Sequence, residues 1–418
     1  MNAVHTLTLA LALTFAANAH ADYLPDPAAA EAALWASSAV AQARGEFAAQ
    51  ALKSQSLQRG REEWSVGADI LQRRVDTPQD RYAEWGLALS RPLRLPGRAA
   101  ADRALAGALT AHAEASLGEA LHESGRQLLA LWFDWLAETS QSRVWLAQLT
   151  LADQQLATVN ARIRLGEAPR SERVNAEAAL AQVRLQQQLA ATREQQARNR
   201  LRAQFPALPV TTDELMPQPA QPSGAADDYI DAVLVHNHEL FRARRQAEVL
   251  QAEARQLAQR RSVDPNVGVF YKNESGGNEH VLGMNVGLTL PGAARRTDQQ
   301  AAEQLSATAQ DAANRLEQRL RQEARSDFES AVAQVANWQV ADRAAQSQEE
   351  AARLAARAYS LGEGSLDQVL VSRRLALEGQ LMAQQARLAA LAADARLKLD
   401  SHRLWPLDVD ADSAHAHP

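Results

Sequence analysis

Leu93-Arg94-Leu95-Pro96-Gly97 and Leu288-Thr289-Leu290-Pro291-Gly292 are two copies of one motif, 195 residues apart. Arg164-Leu165-Gly166-Glu167 returns as Ser360-Leu361-Gly362-Glu363 at an offset of 196. Two independent matches at nearly one spacing mark a duplicated unit, and such a period constrains the whole fold. Between the copies runs FPALPVTTDELMPQPAQPSGAADD (205–228), whose Pro206, Pro209, Pro217, Pro219 and Pro222 suit neither helix nor strand. The chain therefore divides into a first repeat over 22–205, a proline-rich linker over 206–225, a second repeat over 226–405 and a polar tail over 406–418.

Just before each Pro-Gly motif the residues alternate with period two. Trp64, Val66, Ala68 and Ile70 alternate with Ser65, Gly67 and Asp69. After a turn through Val75–Asp80, Trp85, Leu87 and Leu89 alternate with Glu84, Gly86, Ala88 and Ser90. The second copy sets Val267, Val269, Tyr271, Leu282, Met284, Val286, Leu288 and Leu290 on one face, and Gly268, Lys272, Asn285, Gly287 and Thr289 on the other. This predicts β-hairpins over about 63–95 and 266–290. Strands that are apolar on one face and small or polar on the other suit a transmembrane β-barrel. A hairpin packed on a soluble core is the alternative.

After each motif the pattern becomes helical. No proline occurs from 97 to 168, from 170 to 205, from 223 to 264 or from 292 to 405, and long gaps of this kind are helical ground. Leu305, Ala309, Ala312, Leu316, Leu320, Ala324, Phe328, Ala331, Val335 and Trp338 recur every three or four residues, as do Leu128, Trp132, Trp135, Leu146, Leu149, Leu156, Val159 and Ile163. Even half of the last gap would be on the order of 80 Å as helix, so these helices are architectural. Taken alone they would read as a soluble coiled coil.

Composition narrows the class. The 418 residues are 46% hydrophobic and 22% charged, with a net charge of −6 and no cysteine; the mean hydropathy is −0.35. Beyond the first two dozen residues no window is apolar enough for a spanning helix. The charge balance gives no footprint for nucleic acid. Without cysteine there is no disulfide, thiolate metal site, cysteine nucleophile or lipid-anchored N-terminal cysteine. Residues 1–21 lack Asp, Glu, Lys and Arg, and carry an apolar run from Leu7 to Ala17 and then Ala19-His20-Ala21. That is a secretory signal peptide cut before Asp22 that lacks the usual basic start; an N-terminal anchor helix is the alternative.

Two hairpins supply four strands, too few to close a barrel, and an open edge in lipid leaves backbone groups without partners. The barrel must be shared between chains. Gly-lined and polar inward faces favour the wider, open-lumen closure over an eight-stranded one. The expected fold is mainly α, with long antiparallel helices and a membrane β-barrel.

The duplicated hairpin and long-helix units, LxLPG at the strand-to-helix junctions and the turns RIRLGEAPRSERV and AYSLGEGSLDQVL make the chain resemble the TolC family of trimeric outer-membrane efflux ducts. The EWxL strand, the junction from Leu95 to Arg98 and the compact length are most similar to its heavy-metal branch (CzcC- and CusC-like). The resemblance covers essentially the whole mature chain. It implies a homotrimer with a 12-stranded barrel in outer-membrane lipid, an α-helical tunnel through the periplasm, and a periplasmic adaptor linking it to an inner-membrane pump of the RND type. It also places the adaptor-docking turns at Leu165, Gly166, Glu167, Leu361, Gly362 and Glu363, and the strand–helix junctions at Pro96, Gly97, Pro291 and Gly292. Glycine suits a tight helix turn whether or not a partner binds there.

The family closes its tip with a tyrosine and acidic rings, which puts gate candidates at Tyr359, Asp367 and Gln368. The usual acidic positions fall on Gln368 and Val371, with Asp367 one residue early. A ring of Asp367 would concentrate cations, whereas an Asp near a helix start is also favoured by the dipole alone. His236 and His238 lack the spacing that puts two imidazoles on one helix face and read as surface residues. The tail's Asp408, Asp410, Asp412, His415 and His417 suit loose Zn²⁺ or Cu²⁺ binding in type, or simply a solvated end. No metal site, cofactor or enzymatic motif is expected. Drug efflux or type I secretion by the same fold is one alternative function, and a periplasmic coiled-coil adaptor is the other.

Overall fold

The computed structural model describes residues 23–60, 62–211 and 216–407. Residues 1–21, on which the expected signal peptide falls, and the Asp/His positions from Asp408 onward lie outside the described residues. The elements run α1 (Pro27–Trp35), α2 (Ser38–Arg59), β1 (Ser65–Asp76), β2 (Gln79–Pro92), α3 (Pro96–Arg164) and α4 (Arg170–Gln204). They then repeat in the same order as α5 (Ala226–His236), α6 (His238–Gln259), β3 (Asp264–Glu274), β4 (Glu279–Thr289), α7 (Ala294–Ser360) and α8 (Leu366–Asp400). The copies match in length: 69 against 67 residues for α3 and α7, and 35 against 35 for α4 and α8. At 1.5 Å per residue α3 and α7 are each about 100 Å long. No described helix is long and apolar enough to cross a membrane.

The four strands form one antiparallel sheet in the order β1-β2-β3-β4. Its register stacks the apolar sets of both repeats in shared rows: Val66, Leu89, Val269 and Met284; then Ala68, Leu87, Tyr271 and Leu282; then Ile70, Trp85, Asn273 and His280. Because the side-chain period is two, a one-residue slip would turn any strand's apolar set to the wrong face. This face is bare, with Ile70 88% and Leu282 80% exposed. The opposite face carries Gly67, Ala88, Phe270 and Gly283 in one row. A Cβ on Gly283 would lie 2.4 Å from the Phe270 ring, so the glycine lets that ring lie across the strand. The first hairpin reaches further than the sequence suggests. Pairing continues to Asp76 and Gln79 and leaves only Thr77-Pro78 as its turn. In the chain, β1 and β4 are both edges.

The largest core lies at mid-length, where α1, α3, the end of α4 and the end of α8 meet. Leu34, Leu128, Trp132, Trp135, Phe205 and Leu399 are buried there. Trp132 donates its indole N–H to the Tyr23 carbonyl at 2.8 Å, and Trp135 donates to Glu194 at 3.1 Å, so both polar edges are satisfied on burial. The linker packs into this belt. Leu208 and Val210 are buried in it, and Arg387 of α8 donates to the carbonyls of Met216 and Pro217. The tail begins there too, with Leu407 fully buried. Polar composition hid both features, since single apolar residues in a proline-rich stretch carry no periodicity.

Of the two histidines expected at the surface, only one lies there. His236 is exposed, but His238 is half-buried, its ring centred 5.8 Å from that of buried His122 and 5.1 Å from that of His402. Burial and nearby Arg126 push the His122 pKa down to about 3, which keeps that imidazole neutral. Among the described residues no group of three or more His, Asp or Glu is placed to hold a metal ion. Gly118 of α3 makes room for His238, since a Cβ there would lie 2.6 Å from its Nδ1. Gly118→Ala is expected to lower stability by about 1–3 kcal/mol through overpacking. Gly107→Ala, where the space is open, should be neutral or stabilising. Thermal unfolding of both variants checks the contrast.

Candidate functional site

At the far end of the long helices, α3 turns into α4 and α7 into α8 by the same geometry. Gly166 and Gly362 adopt φ of 78° and 80°. Gly166 N–H donates to Ile163 and Glu167 N–H to Arg162; Gly362 N–H donates to Tyr359 and Glu363 N–H to Ala358. These paired bonds satisfy the last helical carbonyls in the Schellman arrangement, which calls for a left-handed residue and hence glycine. The turn does not require what surrounds the glycine. Leu165 and Leu361 are 73% and 60% exposed, and the position that usually packs back onto the helix is held by exposed Glu167 and Glu363. Both tips thus present a leucine beside a carboxylate to solvent.

The tips are locked across the repeats. The Tyr359 hydroxyl donates to Glu172 Oε2 at 2.6 Å, and Arg162 donates to the Tyr359 carbonyl at 3.1 Å. The Arg162 guanidinium stands 4.3 Å over the Tyr359 ring, in cation–π range. Val159, Ala176, Leu366 and Val369 bury the pair's apolar side. Asp367 accepts a hydrogen bond from Asn175 of α4 at 3.3 Å. The backbone N–H of Gln368 donates to Ser365 Oγ, the cap of α8, at 3.2 Å. Of the gate candidates, Tyr359 and Asp367 are therefore brought together with the first repeat.

Arg162, Glu172 and Asn175 are the residues that sequence reasoning missed. Arg162 in the last turn of α3 and Glu172 in the first turn of α4 match a plain helix-dipole pattern, so their partners across the repeat left no linear signal. Burial, and then the Glu172 carboxylate, push the Tyr359 pKa up to about 12.

At the other end, the two Pro-Gly motifs differ. Pro96 is the first residue of α3, where its missing N–H costs nothing, and a Cβ on Gly97 would meet Gln259 at 2.6 Å. Pro291 and Gly292 instead precede α7, which starts at Ala294. Arginines tie the junction across repeats. Arg98 of the first repeat and Arg295 of the second both grip Asp264 at the start of β3, the latter at 2.5 Å. Arg94 holds Asp102 at 2.5 Å, while Gln256 donates to the same carboxylate at 2.7 Å.

The four-stranded sheet with its bare apolar face, continued by paired helices about 100 Å long, gives the chain the fold of solved outer-membrane channels. Among solved structures it is similar to the CmeC outer membrane channel of Campylobacter jejuni, with a TM-score of 0.73 and 13% identity over 94% of this chain and 89% of that one. It is likewise similar to the outer membrane protein VceC of Vibrio cholerae, with a TM-score of 0.72 and 17% identity over 91% and 99% of the two chains. CusC, studied for its transmembrane channel formation, matches with a TM-score of 0.65 and 13% identity over 90% and 91%. No protein-family model matches the chain, and no curated protein matches it.

Proposed function

We propose that this chain is the outer-membrane exit duct of a tripartite efflux system. Three copies close a 12-stranded barrel, and their helices continue it as a tunnel through the periplasm. The observation that carries this reading is the sheet: four strands with one continuous apolar face and two unpaired edges, β1 and β4. Backbone groups on open edges have no partners in lipid, so β1 of one copy pairs with β4 of the next until the ring closes. The duct performs no chemistry, and transport energy comes from an inner-membrane pump reached through a periplasmic adaptor. Conductance of the purified protein in a planar bilayer tests the reading; recovery of the mature protein in the soluble periplasm, with no channel activity, would overturn it.

The adaptor docks on the turns at Leu165–Glu167 and Leu361–Glu363. Support comes from the paired exposed leucines, which the turn geometry does not demand. Replacing Leu165 and Leu361 together by Asp is expected to cut in vivo crosslinking between adaptor and tip about tenfold, with unchanged thermal stability. Equal crosslinking would sink this assignment.

The cargo is proposed to be heavy-metal cations, on the resemblance of the EWxL strand and the Leu95–Arg98 junction to the heavy-metal branch. Deleting the gene and measuring metal and drug susceptibility separates the cargoes. Sensitivity to drugs alone would favour the multidrug reading.

A further inference from the structure

The register of the sheet locates the membrane on the protein. On the bare face of β2, counting back from its end, come Arg91, Leu89, Leu87, Trp85, Ala83 and Arg81. Between the two arginines this face carries no Asp, Glu, Lys or Arg on any of the four strands. Ten residues at about 3.3 Å each span about 33 Å along the strand. With strands tilted by about 35–45° this is about 25 Å along the normal, the height of the apolar band of a membrane barrel.

Arg91 marks one border. Its guanidinium lies 5.3 Å over the Trp64 ring and donates to the Glu62 backbone carbonyl at 3.1 Å, so it is held by groups of its own chain. The other border is different. Arg81 stands directly opposite Arg74 on the same face, and like charges at paired cross-strand positions destabilise a sheet. Among the described residues Arg81 has no carboxylate within ion-pair distance. Arg74 has only Asp76, at 3.6 Å and largely exposed. Asp80 pairs with Val75 and Arg73 with Tyr82, so both lie on the other face, where Arg73 meets Glu84 at 3.0 Å and Glu274 at 3.3 Å. The carboxylates of Glu84 and Glu274 thus serve the inward arginine, and the outward pair keeps only the exposed contact of Arg74 with Asp76.

The geometry points to a lipid-binding site: Arg74 and Arg81, at the outer border of the apolar band, clamp the phosphate of a phosphorylated glycolipid headgroup of the lipid A type in the outer leaflet. This rests on the duct reading, which puts the hairpin tip at the outer surface. A shared phosphate turns the opposed arginines from a repulsive pair into a bidentate one. Three copies give three sites around the barrel.

The test uses the full-length protein in phosphatidylethanolamine vesicles doped with lipid A or, separately, with phosphatidylglycerol, and measures lipid retained after purification. The double variant R74Q/R81Q should retain about 25-fold less lipid A, at roughly fivefold per arginine, while Asp76→Asn should retain more. R74K/R81K keeps the charge and should still bind, which covers the case in which the Gln variant fails to fold. Unchanged retention by R74Q/R81Q, or equal retention of phosphatidylglycerol and lipid A by the unmodified protein, would overturn the site. Failure of the protein to float with vesicles at all would instead overturn the duct reading.

Discussion

Leu282→Arg is expected to abolish barrel assembly. Leu282 is 80% exposed in the single chain, and in a soluble protein such a change would be within about 0.5 kcal/mol of neutral. In the proposed duct the same side chain lies near the middle of the apolar band, in one row with Ala68, Leu87 and Tyr271. Arginine at that depth costs about 2–4 kcal/mol. Three copies in one barrel raise the cost to roughly 6–12 kcal/mol, comparable to the whole stability of a typical domain. Heat-resistant trimers and the outer-membrane fraction should both disappear. Asn285→Arg, three residues along on the inward face, should leave both intact. If the two variants behave alike, the sheet does not face lipid.

Tyr359→Phe should open the tip. The hydroxyl donates to the Glu172 carboxylate, and a hydrogen bond to a charged group contributes about 1.5–3 kcal/mol. When all three protomers must part together, loss of the bond shifts the opening equilibrium by about three orders of magnitude or more. Resting conductance should rise accordingly, while Phe keeps the ring under Arg162. Alkali should mimic the mutation. The folded-state pKa is raised, so the lock is fully present below about 10, the ordinary tyrosine value, and is lost as pH rises through about 12. A steep conductance increase in that window, absent in Tyr359→Phe, is the expected signature. A flat profile would remove Tyr359 from the gate.

Much of this architecture is legible in linear form because each signal is local. The glycine at each tip follows from the left-handed turn, and the hairpins follow from period-two alternation. Of the two LxLPG copies, only the first begins a helix directly, at Pro96, whereas α7 starts at Ala294. The lock at the tip was half legible. Tyr359 and Asp367 came from resemblance, while Glu172, Arg162 and Asn175 lie nearly 200 positions away from the partners they hold. The partial burial of His238 leaves no linear signal for the same reason, since its setting is made by Gly118, His122 and His402 from two other segments.

Sequence by itself determined the duplication, the class of each element and the apolar face of every strand, because propensity and side-chain period act within a few residues. Only the tertiary structure decided that the four apolar faces fall in shared rows and that the linker closes the mid-length belt. It also decided that Arg74 opposes Arg81 and that the tip of one repeat is locked by the other. Those are matters of register and of contact between segments far apart in sequence, and register becomes definite only when strands pair and helices pack.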